Sequence, residues 1–139
     1  MARIITNLIF VRGDTHVSPQ WLVVNEKLPR GITKDELEQG IRDGTYTRID
    51  FTQYTMRGQV RTVPDGEKQA DLTLSVTQDE FGYLSFTVPY TTTETMPNQD
   101  TRMVYDIELT HRDTDVRETL IAGEYRVTSD VTYNGPTVF

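Results

Sequence analysis

MVYDIELTHRDTDVRETLIAGEYRVTSDVT, residues 103–132, alternates apolar and polar side chains on either side of a short polar interruption. Successive side chains of a strand point to opposite faces. Met103, Tyr105, Ile107 and Leu109 therefore share one face, and Val104, Asp106, Glu108 and Thr110 the other. HRDTD, residues 111–115, is polar and short enough to turn a hairpin, where aspartate is favoured because it bonds nearby backbone. A second long strand is expected from Val116 to about Thr128, with a kink near Gly123. A hairpin with one apolar and one wet face belongs to an antiparallel sheet covering a core.

The same period recurs upstream. Tyr54, Met56, Gly58 and Val60 share a face in YTMRGQVR, as do Leu72, Leu74 and Val76 in DLTLSVT, and Leu84, Phe86 and Val88 in LSFTVP. QDEFGY, residues 78–83, has the length and composition of a hairpin turn between the last two. RIITNLIFV, residues 3–11, is apolar on both faces and reads as a buried or inter-subunit strand. QWLVV, residues 20–24, reads as another strand.

One segment breaks the rhythm. In GITKDELEQGIRDGTY, residues 31–46, Thr33 is placed as an N-cap with Glu36 three residues later, and Gly44 as a stop. Leu37 and Ile41 give a two-residue apolar stripe, and Gly40 weakens the helix by about 1 kcal/mol relative to alanine. The expectation is a short helix laid over the sheets or docked on a partner. Together these elements predict an all-β, immunoglobulin-like antiparallel β-sandwich of about 7–8 strands with one short inserted helix. The chain, 1–139, is expected to be a single domain, with the helical insertion at about 25–46 and an extended C-terminal tail at about 133–139.

Composition narrows the function. The net charge of −7 opposes nucleic-acid binding, which calls for a basic face. No cysteine is present, so neither a disulfide framework nor a thiolate site exists. No apolar run approaches the ~20 residues of a membrane span, and the N-terminus lacks a signal-peptide pattern, so synthesis in a cytoplasm without membrane insertion is expected. Twenty-two of the 139 residues are threonine, which suits the exposed faces of strands.

Candidate chemistry is sparse. His16 and His111 lie far apart beside turns with no third ligand, and read as exposed turn histidines. Asp113 and Asp115 lack the remaining ligands of a calcium loop and read as turn residues. Arg12, Gly13 and Asp14 form an RGD tripeptide at a strand end, where glycine and aspartate make a turn. Tyr90 and the TTTET after it offer no stacking platform for a sugar. Glu118 and Glu124 share a strand face but stand ~20 Å apart, too far for a glycosidase pair. The sequence is thus read as non-enzymatic, without catalytic, cofactor or metal sites.

The hairpin pattern resembles the C-terminal half of a small β-sandwich domain widespread in tailed bacteriophages. That domain occurs at the N-terminus of siphophage baseplate upper proteins and as stand-alone tail-fibre connector or collar proteins. The resemblance rests on Tyr105 to Leu109, the turn at Asp113 to Asp115, Gly123, and Val127 to Thr132. RGDT at 12–15 is similar to the family's first turn, IDFTQYTMRGQVR at 49–61 to its third-strand entry, and ETMP at 94–97 to its threonine-bearing stretch. It covers roughly residues 4–24 and 47–132, and the insertion and tail depart from it. With no receptor-binding scaffold after residue 139, the stand-alone collar form is the expectation. The resemblance implies a virion structural protein at the tail tip or baseplate, forming a homo-oligomeric ring and contacting tail tube or baseplate hub proteins and side tail fibres. A head-decoration or neck protein, or a carbohydrate-binding adsorption module, are the alternatives. Apolar groups outside the expected core mark the candidate protein interface: Ile4, Ile5, Leu37, Ile41, Tyr133, Val138 and Phe139.

Overall fold

The computed structural model describes residues 4–97 and 101–128. Among these, eight strands form: β1 (Ile4–Ile5), β2 (Leu8–Val11), β3 (His16–Val17), β4 (Tyr54–Arg61), β5 (Lys68–Val76), β6 (Leu84–Val88), β7 (Thr101–His111) and β8 (Arg117–Thr128). Two helices join them: α1 (Lys34–Arg42) and the four-residue α2 (Tyr90–Thr93). The strands make one mixed sheet, ordered β1-β8-β7-β4-β5-β6-β3 with β2 also on β8, curled into a half-barrel.

The hairpin is as the alternation requires. β7 pairs antiparallel with β8, from Thr101 opposite Val127 to Thr110 opposite Arg117. Met103, Tyr105, Ile107 and Leu109 are buried, while their neighbours are half-exposed or exposed. Asp115 takes a positive φ of 54° to close the turn, and its N–H donates to the His111 carbonyl at 2.9 Å. One detail escapes simple alternation. The β7–β8 register shifts between Ile107 and Glu108, so that Leu120 and Ile121 are consecutive yet both fully buried. This is a β-bulge, and it puts Glu118 and Glu124 on opposite faces rather than the shared face expected of them.

A wholly antiparallel sheet is corrected by the N-terminal segment. β1 and β2 run parallel to β8, Ile4 opposite Ile121 and Leu8 opposite Tyr125. Both pairs keep the same offset, so β1 and β2 are one strand interrupted at Thr6 and Asn7. No hairpin links this segment to β8, so nothing local fixes its direction. At the interruption Thr6 crosses directly over Gly123. A Cβ on Gly123 would stand 1.9 Å from the Thr6 carbonyl oxygen. That carbonyl instead accepts the Tyr105 hydroxyl at 2.8 Å, and the Asn7 side-chain carbonyl takes the Glu124 N–H at 2.9 Å.

The curl comes from β5. Its first half pairs with β4 as far as Leu72, and from Thr73 it pairs with β6. QWLVV is not a strand; it contributes two isolated bridges, Trp21 with Leu84 and Val24 with Arg48. With Pro19 just before it, this segment spans from β6 toward the insertion instead of joining a ladder. Between the curled halves lies an aromatic core in which Phe86 neighbours Phe10, Trp21, Tyr105 and Tyr125 at centroid distances of 6.0 to 6.3 Å.

Replacing Gly123 with alanine should cost about 2 kcal/mol or more, because the Thr6 backbone must move to admit the methyl group. Gly44→Ala, at a site with a φ of +86° but open space around it, should cost only about 1 kcal/mol. Denaturant unfolding of both variants measures the difference, and the account requires the larger loss at Gly123.

Candidate interaction surfaces

The first surface is the outer edge of the N-terminal strand. Ile4 is half-buried against the core, and Leu8 is buried. Ile5 and Ile9, four residues apart on the opposite face, are 75% and 65% exposed. Ile5 was expected at an interface from the sequence; Ile9 was missed. The offset that buries Leu8 and turns Ile9 outward was present in TNLIFV, but a segment apolar on both faces hides its phase. Among the described residues no strand pairs with the outer side of β1 or β2.

Next to this edge, the outer face of β1, β8, β7 and β4 forms an open cleft of about 670 Å³ floored by alternating charges. The Glu108 carboxylate lies 3.0 Å from Arg57 and 4.0 Å from Arg117. Arg61 donates to the Gln59 amide oxygen and the Gly66 carbonyl. Acids and bases alternate across the strands, so the face carries no single-sign field for an anion or cation.

The third surface is α1, and here the structure decides between the two expected placements. Thr33 caps the helix, its hydroxyl oxygen accepting the Glu36 N–H at 3.2 Å, and Gly44 follows the last turn with a φ of +86°. The helix lies over the β5–β6 turn of its own chain. That turn is organised by Asp79, whose carboxylate accepts the N–H groups of Phe81 and Gly82. The Gly82 N–H and the Thr77 hydroxyl hold the Asp79 carboxyl below its usual value. Phe81 and Tyr83 are thereby presented to α1. Tyr83 donates to the Glu38 carboxylate at 2.5 Å, Lys34 sits 5.1 Å over the Tyr83 ring, and Arg42 sits 5.0 Å over Phe81. Burial, reinforced by the Glu38 carboxylate, pushes the Tyr83 phenol well up. Gly40 has a reason invisible in the sequence: the Tyr46 ring lies against the helix where a side chain would be, 2.3 Å from a Cβ there.

Of the proposed interface residues on α1, Leu37 is therefore buried within the monomer, while Ile41 is half-buried. Tyr133, Val138 and Phe139 lie outside the described residues, as does the end of the Val127 to Thr132 pattern. The RGD turn is also occupied. Arg12 donates to the carbonyls of Met96 at 3.0 Å and Glu94 at 2.7 Å, and Thr93 donates to the Asp14 carbonyl at 2.7 Å. His111 is half-buried edge-on to Tyr54. His16 contradicts its reading as an exposed turn histidine: it is 1% exposed, at the start of β3. Sequence spacing could not reveal this, because its partners come from distant strands.

Leu37→Ser should cost about 2–4 kcal/mol by emptying a buried site and leaving a hydroxyl there, and Ile41→Ser about 1 kcal/mol or less. Guanidinium unfolding of the two variants checks this order.

Comparison with protein-family models and with curated proteins finds no match for this chain.

Proposed function

We propose that this chain is a non-enzymatic structural protein of a tailed-phage virion. In this reading it is an adaptor in the tail-tip collar or baseplate, repeated as a homo-oligomeric ring. It joins tail tube or baseplate hub proteins to side tail fibres. The observation that carries the proposal is the outer edge of β1–β2, where Ile5 and Ile9 face outward. A strand edge with no lysine or proline and, among the described residues, no covering element is a template for another chain, and single-chain proteins usually blunt such edges. The hairpin over residues 103–132 adds the resemblance to phage connector domains. Because β5 changes partner at Leu72, the curled sheet divides into two facing halves, and we read it as a variant of the immunoglobulin-like sandwich of those domains.

Quantitative mass spectrometry of purified virions and of isolated tails tests the proposal. The account expects this chain in the tail fraction at a fixed multiple of the tail symmetry. It expects Ile5→Lys with Ile9→Lys to fold but not incorporate. Presence in heads alone would favour a decoration or neck protein. A monomer that binds glycans and is missing from virions would favour an adsorption module and overturn the proposal.

A further inference from the structure

β2 and β3 are the two opposite edges of the curled sheet, yet only the turn at residues 12–15 separates them in sequence. One polar side chain bridges the seam between these edges. His16, on β3, reaches across to β2 and β8 at once. Its Nε2 lies 2.8 Å from the Val11 carbonyl, its Nδ1 bonds the Tyr125 hydroxyl, and its ring stacks on Phe10 at 4.5 Å with the planes 8° apart. A carbonyl can only accept, so Nε2 carries the proton and Nδ1 accepts from Tyr125. The ring is thereby held in the neutral form, with both nitrogens used.

We propose that His16 is an acid-sensitive latch: protonating it releases β3 and the turn at 12–15 from β2 and β8, opening the half-barrel at its seam while the β4-β7-β8 sheet stays folded. An imidazolium cannot accept from Tyr125, so the phenol proton loses its acceptor and a charge is left in a buried place. The groups facing the ring do not cancel this. Tyr125 is itself pushed up by burial and stays neutral. Asp14 favours the charged ring, as does the Val11 carbonyl, but burial outweighs both and lowers the His16 pKa. Arg12 is turned to the carbonyls of Glu94 and Met96, and Val88 and Thr87, opposite β3 on β6, carry no charge.

The sign follows from linkage. The open form binds a proton with the ordinary imidazole value of 6.5, whereas the closed form resists it. The latch is fully engaged above pH 6.5, weakens as the pH falls below it, and stops weakening once the closed form also protonates. If the closed ring stays neutral throughout, the open fraction rises about 25-fold between pH 7.0 and 5.0.

Amide hydrogen exchange, corrected for its intrinsic pH dependence, reads this directly. Arg12 and Asp14, whose N–H groups bond the Thr128 carbonyl on β8 and the Val11 carbonyl on β2, should exchange up to about 25-fold faster at pH 5.0 than at 7.0, with Tyr105 and Ile107 unchanged. Fluorescence of Trp21, the only tryptophan, should change in step because it pairs with Leu84 beside the seam. His16→Gln keeps one donor and one acceptor but cannot ionise, and should abolish the acceleration. If that variant does not fold, His111→Gln decides, since His16 is then the only histidine, and the acceleration should persist. Acceleration that survives in His16→Gln, vanishes in His111→Gln, or spreads equally over β4, β7 and β8 overturns the proposal.

Discussion

The fold depends on one close approach, the Thr6 carbonyl passing over Gly123. A strand that pairs on both sides normally carries a side chain at every position, and here one is missing where the neighbouring strand changes course. The space lets Thr6 turn its carbonyl inward to Tyr105 while Asn7 supplies a substitute acceptor to β8. β8 can then hold an antiparallel strand on one side and a parallel one on the other. That parallel strand ends at Val11, from which a short turn delivers His16 to the far edge of the sheet. β5 sets the curl, and the strand admitted by the crossing at Gly123 supplies the edge on which it closes.

Inner and outer faces are built on different physics. Inside, Phe86, Tyr105 and Tyr125 pack with fully buried aliphatic residues, where each lost side chain costs several kcal/mol. Outside, the ladder of Arg57, Glu108 and Arg117 consists of partly exposed ion pairs, each worth about 1 kcal/mol or less. Such pairs fix register and keep the surface soluble while adding little stability. The apolar groups left over after the core is filled are the informative ones. On the edge strand they are Ile5 and Ile9, beside backbone that no described strand covers. α1, by contrast, spends Leu37 on its own chain and so is a poor candidate for the partner surface.

What the sequence made legible was what local pattern encodes. The β7–β8 hairpin, the strands from Tyr54 and Leu84, the Thr33 cap and the Gly44 stop were readable because period, turn chemistry and capping act over a few residues. Choice of partner is not encoded locally. The apolar run IITNLIFV says that both faces are oily, but not that the segment runs parallel to a strand more than a hundred residues later. The bulge at Leu120 and Ile121 inverts the phase of alternation without changing composition, so Glu118 and Glu124, read as sharing a face, stand on opposite ones. His16 looked like a turn residue because it follows the polar RGDT stretch, while its true neighbours, Phe10 and Tyr125, meet it only once the sheet has curled. Ile5 was legible as a surface group, and Ile9 became so only with the phase of the strand.

The parallel pairing of the N-terminal strand with β8 is the central claim, and a cysteine-free chain allows a direct test of it. Ile5 stands opposite Ala122, and Ile9 opposite Arg126. Cysteines at Ile5 and Ala122 fall within the span a disulfide tolerates, whereas cysteines at Ile9 and Ala122 are about 13 Å out of register along the strand. Mild oxidation of the two folded double variants, followed by mass analysis of the monomer, should give an intramolecular disulfide for the first pair and free thiols for the second. Equal bridging of both pairs, or bridging of the second alone, would contradict the parallel register and the fold built on it.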